Sequence, residues 1–159
     1  MSFIRFLMLL SVTAWLGALI FFPAVAQTAF TNLPSHSAGV VVRGSLLKLH
    51  CLGFVCGVVF LASSVTYNRL ISGRAQILSW SHVFIGFMLA LTAISQFQII
   101  PRMHALRLSV AEIGALSSND PLRFQFNSLH AWSTRIEGTV LVLGVLSLYL
   151  TSRRLADRN

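Results

Sequence analysis

A chain of 159 residues has room for a single domain. It is 55% hydrophobic and 10% charged, where a soluble domain averages about 25% charged, and its mean hydropathy is +0.77. So few polar side chains cannot cover a globule in water, which excludes a disordered chain, a disulfide-built secreted module and most soluble enzymes and makes lipid the main solvent. The net charge of +8 would suggest nucleic acid in a soluble protein. Here no basic stripe with interleaved stacking aromatics is present, so the arginines and the lone Lys48 read as anchors to anionic headgroups, and nucleic acid is not an expected partner.

Four apolar stretches approach or exceed the roughly 20 residues that cross a hydrocarbon core. The first, at about 3–26, has no charge after Arg5. It shares features with a secretory signal, including an A-x-A string at Ala24 to Ala26, but its apolar core is long for one and it reads as a retained span. The second is expected at about 45–67. The third, at about 75–100, carries Trp80 at its interfacial end and stops at Pro101; the fourth, at about 129–151, is marked by Trp132 and Tyr149.

Between the spans, residues 27–44 read as a loop. Residues 102–116 show apolar positions at helical spacing (Met103, Leu106, Val110, Ile113), which predicts an amphipathic helix along the interface, ending before a turn signal from Ser117 to Pro121. The expected fold is therefore all-α and integral to the membrane: one antiparallel bundle of four transmembrane helices with an interfacial helix between spans three and four. Arg5, Arg69, Arg74, Arg153, Arg154 and Arg158 fall on the side of the termini, against Arg43, Lys48, Arg102, Arg107 and Arg123 opposite. That narrow balance places both termini in the cytoplasm. Gly53 and Gly57 form a small-xxx-small pair through which a neighbouring helix can approach closely.

Ionisable groups inside a span are costly, so those that remain face the bundle interior and pair. Glu137 is the deepest acid, with Arg135 and Lys48 as its expected partners in a buried polar cluster. His36, His50, His104 and His130 all fall on one side of the membrane, with Met103, Cys51 and Glu137 near the same level. Imidazole with carboxylate suits zinc or copper(II), and sulfur shifts the preference toward copper(I), so His50, His104 and His130 are candidate metal ligands, although their spacing is non-local. His82 stands on the opposite side beside Trp80, Phe84 and Phe87. It is a candidate axial ligand to haem or chlorophyll, or a hydrogen-bonded core histidine. Cys51 and Cys56 read as packing residues. No nucleophile set, phosphate loop or paired carboxylate is present, so no enzymatic reaction is expected and no cofactor is required.

The strings from Trp15 to Pro23 (WLGALIFFP), from Ile99 to Arg107 (IIPRMHALR) and from Leu129 to Gly138 (LHAWSTRIEG) resemble the transmembrane protein 205-like domain of small bacterial membrane proteins. That resemblance implies a four-helix bundle in the bacterial inner membrane with no assigned reaction. It also implies a distant likeness to copper-resistance D membrane proteins, which would carry a copper site only onto His50, His104 and His130.

The functional expectation is a non-catalytic accessory subunit packed against lipids and the other subunits of a larger membrane complex, a bioenergetic or photosynthetic one included. One alternative is a copper, other metal or drug handling protein using the one-sided histidines; a second is a b-type haem redox protein.

Overall fold

The computed structural model describes residues 2–72, 79–110, 113–117 and 119–156, which form helices and turns with no strand among them. Four helical stretches are long and apolar enough to cross a membrane, as expected of a multi-pass membrane protein. Arg74, the first residues of the third expected span at 75–78, Ser118 of the turn and Arg158 lie outside the described residues.

Helix α1 (Ser2–Asn32) runs past the expected end at Ala26, and α2 (Ser35–Ser72) begins well before residue 45. The stretch read as a loop is thus almost wholly helical, with only Leu33 and Pro34 between the helices. Its polar residues serve the helix. The Thr31 hydroxyl donates to the Gln27 carbonyl at 2.9 Å and the Asn32 amide to the Thr28 carbonyl at 2.8 Å. The break comes at Pro34, which disfavours helical backbone at the residue before it and would press its ring on the carbonyl four residues back.

Helix α3 (Trp80–Ile94) does not stop at Pro101. It passes through one π-helical turn, Ser95–Ile99, into α4 (Ile100–Leu108), so residues 102–108, expected in a separate helix, continue the third span. The Ile100 N–H donates to the Ser95 carbonyl five residues back. This wider turn relieves the helix where Pro101 can supply no donor. A 3-10 turn, Ile113–Ala115, precedes α5 (Pro121–Ala156), which starts earlier and ends later than expected. Asp120 caps it: its carboxylate accepts from the Leu122 N–H at 2.8 Å, with Pro121 in the first turn, where no donor is needed.

Helix α1 packs mainly on α2, and α5 packs on α3 and α1. The centre is filled by Trp15, Phe60, Tyr67, Ile85, Met88 and Val140, each at most 1% exposed. Gly53 and Gly57 do receive close neighbours, but from two helices. A Cβ at 53 would lie 2.6 Å from the Trp15 indole nitrogen of α1, and one at 57 would lie 2.6 Å from a Leu89 methyl of α3. Gly144 of α5 does the same for Leu16 and Met88, a role not foreseen from its spacing. Trp80, Trp132 and Tyr149 are more than half exposed, as lipid-facing aromatics should be.

The end of the bundle nearest the termini is tied by side chains. Arg5 donates to the Tyr67 hydroxyl at 3.0 Å and lies over its ring, Arg154 donates to the Asn68 carbonyl oxygen, and Thr151 donates to Ser81 at 3.3 Å. The opposite end is open.

Candidate functional site: a cavity with a histidine–glutamate pair

At the open end the last turns of α1, the first turns of α2, helix α4 and the first half of α5 diverge around a cavity of about 690 Å³. On α5 the lining runs from Arg123 to Leu141, about 27 Å by helical rise. The lining changes character along its depth. The innermost residue from each helix is Leu19, Leu46, Ile100 or Leu141, whereas the outer part carries Arg43, Arg107 and Arg123 with His36, His104 and His130.

Three spans meet at a polar network on the inner part of this wall. The His50 ring, its side chain 2% exposed, places Nε2 2.8 Å from Glu137 Oε1 and Nδ1 2.8 Å from the Gln96 side-chain carbonyl. Nε2–H donates to the carboxylate. The Gln96 amide can accept from a protonated Nδ1 through its oxygen, or donate to a bare Nδ1 through its nitrogen, so the network holds in either state of the ring. Ser95 adds a hydroxyl that donates to Glu137 at 3.4 Å. Both Ser95 and Gln96 belong to the π-helical turn, so the irregularity that carries the chain past Pro101 also delivers two neighbouring side chains to the His50–Glu137 pair. Neither was foreseen, although a Ser-Gln pair inside an apolar span just before a proline is a legible signal.

Glu137 does pair, but not with the expected cations. Arg135 and Lys48 are exposed, and the Arg135 guanidinium lies over the Trp132 ring at 5.5 Å. Positions 135 and 137 are about 200° apart around a helix, so when Glu137 faces inward Arg135 faces the lipid.

Of the candidate metal ligands, His104 and His130 line the cavity and His50 lies behind its wall with both ring nitrogens engaged. The His130 ring stacks on Phe126. Among the described residues no three His, Cys, Asp or Glu side chains form a group able to hold a metal ion. His82, the candidate tetrapyrrole ligand, is 7% exposed; Ser79 donates to its Nδ1 at 2.7 Å and its ring meets the edge of Phe60. A macrocycle would have to displace that packing. Cys56 sits in the core as a packing residue, while Cys51 is exposed.

Arg107 is the most constrained cation of the cavity. Its guanidinium rests over the Phe126 ring at 5.3 Å and against Gly39, where any Cβ would overlap it. Arg123 donates to the Leu116 carbonyl at 2.6 Å. Among the described residues no carboxylate lies within 4 Å of Arg43, Arg107 or Arg123.

No curated protein and no solved structure matches this chain. One family model matches residues 10–112, more than half of the chain, and covers the strings at Trp15–Pro23 and Ile99–Arg107 but not the one at Leu129–Gly138. The match supports neither the transmembrane protein 205-like resemblance nor the likeness to copper-resistance D proteins. The family is a domain of unknown function, DUF4149, and the chain belongs to it.

Proposed function

We propose that this protein is a non-catalytic membrane protein that binds a small amphipathic molecule in the cavity between its four helix ends. The observation that carries this reading is the cavity itself. Its volume of about 690 Å³ falls within the roughly 300–1,000 Å³ of small-molecule sites, which are apolar clefts with a few convergent polar groups. The innermost wall supplies the apolar surface, and the His50–Glu137 pair and the outer arginines supply the polar groups. On this reading the chain is an antiparallel four-helix bundle in a bacterial inner membrane. With Arg135 over the interfacial Trp132 on the cavity side, the twelve basic residues divide six to six between the two faces, so their count does not set the orientation. The accessory-subunit expectation, which rested on the lack of chemistry, the Gly53/Gly57 face and the abundance of phenylalanine, is compatible with this reading.

Gly138 lines the cavity, and a Cβ there would meet nothing within 4 Å. Gly138→Leu therefore fills the cavity without a clash at the backbone. The test is mass spectrometry of the lipophilic molecules extracted from protein purified in mild detergent. A near-stoichiometric amphiphile in the wild type, depleted in Gly138→Leu, is expected; identical extracts from the two proteins would overturn the reading.

A further inference from the structure

The charge on the cavity wall defines the class of its occupant. Three arginines and three histidines face one described carboxylate, and that carboxylate, Glu137, is already engaged by His50. Arg107 is half-buried and held in place by an aromatic face and a glycine backbone, with no described carboxylate in reach. A guanidinium withdrawn from water without a counter-ion is costly, and its planar fork matches the oxygens of a carboxylate or phosphate. The opposite end of the same cavity is closed by Leu19, Leu46, Ile100 and Leu141. A cationic mouth and an aliphatic end, about 5 Å apart along α2 from Arg43 to Leu46 and about 10 Å apart along α4 from Arg107 to Ile100 by helical rise, complement a molecule with an anionic head and an apolar tail.

We propose that the occupant is a single-chain amphiphile with an anionic headgroup, a carboxylate or a phosphate monoester, its head at Arg107 and Arg43 and its tail directed to Leu141. This deepens the binding function proposed above and rests on it. About 690 Å³ is ample for one such chain and its headgroup. The glycine at position 39 acquires a role here: it lets the Arg107 side chain lie flat against α2 and present its charge to the cavity.

The experiment measures binding of oleate, dodecyl phosphate, oleyl alcohol and inorganic phosphate to the full chain in nanodiscs of zwitterionic phosphatidylcholine. Oleate and dodecyl phosphate are expected to bind at least about tenfold more tightly than oleyl alcohol, as a charge-assisted contact requires. Arg107→Gln should remove most of that difference. Because Arg107 also packs on Phe126, Arg43→Gln, at an exposed position, serves as the second variant and should weaken both anions in the same direction. Equal affinity for oleate and oleyl alcohol, insensitive to both arginine variants but lost in Gly138→Leu, would overturn the anionic head and leave the binding function standing. Inorganic phosphate binding as tightly as dodecyl phosphate would overturn the amphiphile in favour of a free anion. Failure of every chain-bearing probe to bind would remove the proposal together with the function on which it rests.

Discussion

His50 of α2 and Glu137 of α5, distant in sequence, meet at 2.8 Å on the wall of the cavity and join two of its four helices through one hydrogen bond. The contact sits where water is scarce: the His50 side chain is 2% exposed and that of Glu137 16%. A donor and an acceptor so placed support each other, with Gln96 and Ser95 as their other described partners. His50→Leu or Glu137→Leu alone strands the other partner and is expected to cost about 1–3 kcal/mol. The double variant should cost less than the sum of the two, since replacing a whole buried pair by apolar groups removes the stranded charge. Reversible unfolding of the four proteins in mixed micelles measures the coupling; strictly additive penalties would mean that the two groups do not support each other.

The glycines divide into two classes that a substitution series can separate. At Gly53 a methyl group would press on the rigid Trp15 indole, whose ring is buried and cannot swing aside. Gly53→Ala is expected to destabilise by about 1–3 kcal/mol, the usual cost of overpacking. At Gly86, in the middle of α3, nothing lies within 4 Å of the added methyl. Gly86→Ala should be neutral or stabilising by up to about 1 kcal/mol, since alanine restricts the unfolded chain without a clash. Equal losses at both positions, read as shifts in the unfolding midpoint, would contradict this division.

The four spans were legible because each is an apolar run longer than a bilayer core, and a chain so poor in charge has no alternative to lipid. Their ends were not legible. Gln27, Thr28, Thr31 and Asn32 look like loop residues, yet Thr31 and Asn32 turn their side chains back onto helix carbonyls and the helix continues. Pro101 looks like a stop, yet one wide turn carries the helix past it. For Glu137 the neighbouring charges suggested Arg135 and Lys48, but helical phase outweighs proximity in sequence and the uncharged Gln96 and Ser95 completed the site. The cavity was illegible for a deeper reason: a void is set by how four helix ends splay, and no periodicity within one helix encodes that.

At the tied end, the Arg5–Tyr67 contact has two parts that can be separated. Tyr67 is fully buried, accepts from Arg5 through its hydroxyl, and offers its ring face to the guanidinium at 5.4 Å. Tyr67→Phe keeps the ring and deletes the hydroxyl, so the expected loss is about 1.5–3 kcal/mol, the worth of a hydrogen bond to a charged donor. Tyr67→Leu removes both parts and should cost more. Equal stability of the phenylalanine variant and the wild type would mean that the hydroxyl contributes nothing to holding Arg5.

Buried polar atoms toward the tied end of the bundle test its packing most directly, because they differ in satisfaction and not in burial. The hydroxyls of Ser64 and Ser147 are fully buried and, with Nε2 of His82, have no hydrogen-bond partner among the described residues. Thr151, one turn from Ser147 and equally enclosed, donates to Ser81. Deleting an unsatisfied hydroxyl removes a desolvation penalty and breaks nothing, so Ser64→Ala and Ser147→Ala are expected to be neutral or stabilising by up to about 1 kcal/mol. Thr151→Val preserves shape and breaks a bond, which in membrane proteins costs on average about 0.6 kcal/mol. The two kinds of variant should therefore shift the unfolding midpoint in opposite directions. A loss at Ser64 or Ser147 as large as that at Thr151 would show that these hydroxyls are bonded after all, with an enclosed water as the one partner small enough to fit among such side chains.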